Sequence, residues 1–153
     1  MSIRHIIKDV LHPTLLGLYE VWEARRVGDA LPTWDAITQA DLKRWRDNLV
    51  VIEVVDEVGG GNAYVYRHYG TKFIELFGKD LTGFTLDGLP EDQKALITFE
   101  YEYARSRRRP TWRVYSGDFD GEVVTWQRLI LPVSTDGETI DLLLVGAYQV
   151  KKG

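Results

Sequence analysis

Two arginines stand inside strand-like runs of apolar and aromatic residues. Arg67 lies within YVYRHY at 64–69, and Arg128 heads RLILP at 128–132. A guanidinium taken out of water is costly unless it is paired or hydrogen-bonded, so each of these needs an anion. One source is the chain itself: Asp80 or Glu53, in an ion pair that holds short helices onto a sheet. The other is a bound carboxylate or phosphate, gripped by the planar fork. The residues alone leave both readings open.

The remaining chemistry-bearing groups resolve into structural roles. His68 sits in a strand and reads as a surface or hydrogen-bonded histidine. His5 and His12 are seven apart with no carboxylate in register, so no metal site is expected there. Asp118, Asp120 and Glu122 alternate as calcium ligands do, but the twelve-residue frame and its closing glutamate are missing. An Asp-Gly hairpin turn accounts for them. Arg105, Arg107, Arg108 and Arg109 form a basic cluster at a helix C-terminus, where cations are favoured; docking of an anionic partner is the alternative. Ser-His-Asp spacing and a paired His-Glu helix motif are absent. The GGGN run at 59–62 lacks the lysine and the following helix of a phosphate loop. No catalytic or metal-binding residues are assigned, and no enzymatic activity is expected.

With 153 residues the chain suits one domain, burying about 70% of its unfolded surface. It has no cysteine. That excludes disulfides, thiol nucleophiles, thiolate metal sites and cysteinyl cofactor adducts, and it fits a reducing compartment. A net charge of −4 argues against nucleic-acid binding. Five Trp and eight Tyr suit a domain that lines a cavity or bears an interface. The start, MSIRHIIKDVLH, carries charges inside its apolar run and reads as neither signal peptide nor membrane span. A cytoplasmic location is expected.

The elements that must position these residues follow in order. Ile3, Ile6, Ile7, Val10 and Leu11 recur at helical spacing before Pro13. Thr14 is placed to cap a helix with the stripe Leu15, Leu18, Tyr19 and Trp22, ending near Arg25-Arg26. TQADLKRW at 38–45 predicts a short helix capped by Thr38, with Leu42 and Trp45 inward. LVVIEVV at 49–55 is a strand, and 64–69 is its hairpin partner. Gly70 breaks that strand and Thr71 is a candidate N-cap. Phe73, Ile74 and Phe77 then make a short apolar face that Gly78 ends, and Asp80 or Thr82 braces a turn. A third helix spans about 90–107 with Leu96, Phe99 and Tyr103 as its stripe. Strands at about 111–116, 123–133 and 139–149 close the chain. They are joined by GDFDGE and STDGE, turn signals that make them antiparallel neighbours.

A strand wetted on one face alternates, whereas one covered on both faces does not. The runs 49–55 and 140–147 are apolar at both parities and belong at the centre of the sheet. The expected class is α+β: a five-stranded antiparallel sheet with short helices on one face and the N-terminal helix, 14–26, on the other. Strand, strand, short helices, helix and three strands resembles the PAS domain. Trp22, Leu31-Pro32, YRHYGT at 66–71, FGKDLTG at 77–83 and RLILP narrow the resemblance to a short bacterial PAS-like family. It covers about 18–146, in an organisation of 1–27 as helical extension and 28–150 as the PAS-like domain. The chain departs from the family at AITQADL, 36–42, which lacks the proline of an Ile-Asp-Pro-like entry to the second helix.

The resemblance implies a sensory or ligand-binding signalling module. A small molecule or a partner protein would bias its conformation, with output through protein–protein contact. The expected lining is Tyr66, Arg67, Phe73, Phe77, Leu96, Phe99, Trp126 and Arg128, apolar walls with few polar groups. No flavin or chromophore thioether is expected without cysteine, and no haem, because the third helix lacks the histidine that haem-binding PAS domains place there. The ligand itself stays unidentified. A ligandless dimerisation module is the alternative, as is a small α+β cone enzyme or carrier, which would need an interior Asp-His pair. With 14–26 on the sheet, the stripe from Ile3 to Leu11 lacks a partner within the monomer. Homodimerisation through it is therefore expected, unless Pro13 folds it back. Neither nucleic acid nor membrane insertion is expected.

Overall fold

The two runs that are apolar at both parities do lie side by side inside the sheet. The computed structural model describes residues 9–119 and 121–150. Its strands are β1 (Leu49–Asp56), β2 (Asn62–Tyr69), β3 (Thr111–Phe119), β4 (Glu122–Ser134) and β5 (Ile140–Gln149). All pairings are antiparallel, in the spatial order β2-β1-β5-β4-β3. The helices are α1 (Pro13–Ala24), α2 (Gln39–Leu42), α3 (Thr71–Phe77) and α4 (Glu91–Arg107), with 3-10 turns at Trp34–Ala36, Lys43–Asn48 and Leu86–Gly88.

Residues paired across an antiparallel ladder share a face. The register therefore puts Tyr66, Ile52, Leu143 and Pro132 in one row of an inner face. Arg113, Arg128 and Ala147 form another, and Tyr115 sits opposite Trp126. Val51, Leu144 and Leu131, with Trp112, Leu129 and Gly146, face outward. The tail of the FGKDLTG run closes the free edge of β2. Tyr66 N–H donates to Phe84 O at 2.9 Å, and Gly83 N–H donates to Tyr66 O at 2.7 Å. At Tyr66 the edge is thereby occupied and closed to another chain.

The outer face is covered by α1 through Leu15, Leu18, Tyr19 and Trp22, all buried. Gly146 permits the close seat, since a Cβ there would stand 2.9 Å from the methyls of Leu15 and Leu18. Two indoles fix the helix: Trp22 Nε1 donates to Pro132 O at 2.7 Å, and Trp45 Nε1 to Thr14 O at 2.7 Å. His12, not Thr14, caps α1: its Nδ1 accepts from Thr14 N–H at 3.1 Å, and Pro13 takes the first helical position. Gln127 stitches the preceding backbone to the sheet, accepting from His12 N–H at 2.6 Å and donating to Val10 O at 2.9 Å. Of the expected aliphatic stripe, Leu11 is thus buried in its own domain and Val10 is exposed. Ile3, Ile6 and Ile7, like His5, lie outside the described residues.

Thr38 caps α2 in a reciprocal box with Asp41, as its spacing predicts. At α3 the cap is Gly70 and Thr71 is the first helical residue. A Cβ at Gly70 would lie 2.2 Å from Asp47 O, so the chain can pass there only as glycine. No helix among the described residues is long and apolar enough to cross a membrane.

Candidate functional site

A run of rings fills the space between the inner face and its covering helices. Tyr64 packs on Tyr101 at 5.4 Å, Tyr66 edge-on to Tyr69 at 5.3 Å, Tyr69 on Phe73 at 5.7 Å, and Phe73 on Trp126 at 6.5 Å. Phe73 is delivered by α3, Tyr101 by α4, and the others by β2 and β4.

The polar centre of this face is a triad that joins α4 to two strands. Arg113 and Arg128 are directly opposed on β3 and β4. Both reach one buried carboxylate, Glu100: Arg128 Nη1 donates to Oε1 at 2.8 Å and Arg113 Nη1 to Oε2 at 3.1 Å. The Arg128 guanidinium also lies 4.5 Å over the Tyr115 ring, a cation–π contact. Burial opposes the charge of Arg128, yet Tyr115, Glu100 and Tyr101 outweigh it and raise its pKa above the ordinary value. Burial pushes the Tyr66 phenol up to about 12 against the pull of Arg128. Burial likewise raises Tyr69, with Tyr66 and Asp80 adding to it, and lifts Tyr101 well above the ordinary value.

Glu100 reverses the expected seating of the long helix. Glu100, Tyr101 and Ala104 face the sheet, whereas Leu96, Phe99 and Tyr103 are 41%, 66% and 42% exposed. Turning α4 to bury Phe99 would withdraw the carboxylate from a guanidinium that is itself nearly covered, a larger loss than one exposed ring.

The expected lining therefore divides. Tyr66, Phe73, Trp126 and Arg128 come together on the inner face. Phe77, on the last turn of α3, is exposed, as are Leu96 and Phe99. Arg67 is on the opposite side of the sheet, ion-paired to Glu53. With Trp34, Thr135 and Asp141 the two edge a shallow depression of about 290 Å³. Of the two acids expected to pair with the strand arginines, Glu53 takes Arg67, whereas Arg128 pairs with neither and takes Glu100 instead. Sequence reasoning missed Glu100, Tyr101, Arg113 and Tyr115.

Other groups hold structural places. His68 Nε2 lies 2.9 Å from Arg46 O, and Asp80 accepts from Thr82 N–H at 3.0 Å. Asp118 braces its hairpin by accepting from Gly121 N–H at 2.9 Å, while Asp120 lies outside the described residues. No cluster of three metal-ligating side chains occurs among the described residues. Two buried side-chain donors lack a partner among those residues. One is Arg105 Nε, whose Nη1 reaches Asn62 and Tyr64. The other is Trp126 Nε1, in a side chain with no other polar atom.

A sheet in the order β2-β1-β5-β4-β3, with short helices and one long helix over its inner face, is the PAS architecture. A family model described as PAS domain matches residues 10–149, and the chain belongs to that family. Among solved structures, a light-oxygen-voltage domain from work on a flavin analogue is similar at 18% identity, covering 74% of this chain and 84% of that one with a TM-score of 0.50. The Rhodobacter sphaeroides LOV protein is similar at 14% identity over 76% of this chain and 70% of that one, with a TM-score of 0.48. Such identities speak to the fold alone. No curated protein matches the chain in sequence.

Proposed function

We propose that this PAS domain is a cytoplasmic sensory module, without enzymatic chemistry of its own. It takes a small molecule against the inner face of the sheet and reports through contact with another protein. The observation that carries the reading is the Trp126 indole N–H, buried and without a partner among the described residues. A buried donor left unmade costs about 1–3 kcal/mol, and an acceptor on a ligand would recover it. Tyr115 stands opposite Trp126 on the neighbouring strand, and the Arg128 guanidinium is coupled electrostatically to Tyr66, Tyr101 and Tyr115. Phe73 packs on Trp126, so α3 is the element that yields to admit a molecule. A contact at Trp126 or Arg128 would alter the hold of the sheet on Glu100. Binding would thereby bias the seat of α4.

The tight filling of the same face favours a second reading, a ligandless interaction module: Tyr66, Tyr101 and Trp126 are each under 5% exposed. Native mass spectrometry of the purified protein, before and after mild denaturation, separates the two. The expected result is an added mass that mild denaturation releases and that Trp126→Phe reduces. A wild type of bare chain mass, together with a Trp126→Phe variant at least as stable, refutes the ligand and leaves the interaction module.

A further inference from the structure

The outward side of α4 carries a pattern that the latch formed by Glu100 with Arg113 and Arg128 does not use. Asp92, Leu96, Phe99, Tyr103 and Arg107 follow at spacings of four, three, four and four, which is one line along a helix. All five are exposed. Phe99 and Tyr103 stack at 6.3 Å, and the Arg107 guanidinium lies 4.9 Å over the Tyr103 ring. The line is therefore a continuous aromatic strip with an acid at its N-terminal end and a base at its C-terminal end. Exposed apolar strips of this kind mark association sites.

The strip is its own complement. Its midpoint falls between residues 99 and 100, so two copies laid antiparallel bring Leu96 against the partner's Tyr103. The Phe99 rings then meet across the axis. Asp92 comes against the partner's Arg107 at each end of a contact about 22 Å long. We infer that α4 is a homodimer interface, two copies of the helix packed antiparallel on a two-fold axis. A second copy is favoured over an unrelated protein because the acid-first, base-last order becomes attractive at both ends under a two-fold, with no further requirement. Ala95 and Ser106, small and exposed beside the strip, leave room for a partner helix. Phe99 adjoins Glu100, so the interface and the latch share one element.

A lone helix pair buries less than the roughly 1,200 Å² of a standard interface, so the dimer is expected to form in the micromolar range. Sedimentation velocity from about 5 to about 300 µM covers that range. The wild type should move from monomer to dimer with concentration. Phe99→Glu should weaken the dimer by on the order of 30-fold or more without lowering the melting temperature, because the ring is exposed. Asp92→Arg and Arg107→Asp should each weaken it about tenfold, since the two-fold repeats the pair, and the double variant D92R/R107D should recover it. Ile6→Glu should leave it unchanged. The assignment is overturned by a wild type monomeric throughout, by a Phe99→Glu dimer as tight as wild type, by a double variant that does not recover, or by a dimer lost in Ile6→Glu.

Discussion

Glu100→Gln removes the one charge on which two strands and the long helix converge, while keeping the side chain's shape. The Glu100 and Arg128 side chains are 10% and 14% exposed, and that of Arg113 is 45% exposed. Removing one partner of a buried pair costs about 3–5 kcal/mol, because the other charge is left covered and unpaired. Two features place this case at the lower end. The glutamine oxygen still accepts one hydrogen bond, and Tyr115 still offers its ring to Arg128. The Arg113 arm is half in water and adds at most about 1 kcal/mol. A loss of about 3 kcal/mol is therefore expected, or about 6–12 °C in melting temperature for a domain of this size. Urea denaturation followed by tryptophan fluorescence reads it directly. Arg113→Ala should cost under about 1 kcal/mol. The double variant Glu100→Leu with Arg128→Met should lose less than the sum of its parts, since an apolar replacement leaves no orphan charge. A Glu100→Gln variant within about 1 kcal/mol of wild type, or one no worse than Arg113→Ala, would refute the claim that this carboxylate seats α4.

Gly70→Ala should cost at least about 3 kcal/mol, the top of the usual overpacking range, because the new carbon would meet backbone, Asp47 O at 2.2 Å and its carbonyl carbon at 2.6 Å. Gly146→Ala meets only the movable ends of Leu15 and Leu18 at 2.9 Å and should cost about 1–2 kcal/mol; equal losses in urea denaturation would show that the Asp47 approach is not rigid. The buried phenols predict the alkaline limit. Tyr66 holds its proton up to about 12 against 10.0 ordinarily, and Tyr69 and Tyr101 are raised as well. The folded state binds these protons more tightly than the unfolded chain, so their contribution is intact below pH 10 and is lost as pH rises through about 12. Phenolate absorbance should therefore leave a fraction of the tyrosines untitrated until the fold melts, and a single transition near the ordinary phenol value would contradict this burial.

The sheet was legible because its signals are local and redundant. Apolar residues at both parities put β1 and β5 inside the sheet, and the Asp-Gly turns made β3, β4 and β5 antiparallel neighbours. Thr38, Gly78 and the Leu15–Leu18–Trp22 stripe stand where spacing predicted. The caps that failed, Thr71 and Thr14, failed for reasons that are not local. Gly70 is fixed by the backbone of Asp47, and His12 by Gln127 across the sheet. The rotation of α4 was missed because hydrophobicity assigns an acid to water and a phenylalanine to the core. A signal against that was nevertheless present. The GDFDGE turn sets Asp118 opposite Val123, and five steps back along each strand set Arg113 opposite Arg128. Two cations abreast on a covered face demand an anion from whatever lies above, and Glu100 is the acid in the middle of the helix that does. With Glu100, Tyr101 and Ala104 turned to the sheet, the stripe of Leu96, Phe99 and Tyr103, centred about a third of a turn around the helix from them, is left toward solvent. A helix needed only as a lid could have carried polar residues there at no cost to the fold. Aromatic residues stacked on one another, bounded by Asp92 and Arg107, are what a helix carries when both its sides are read.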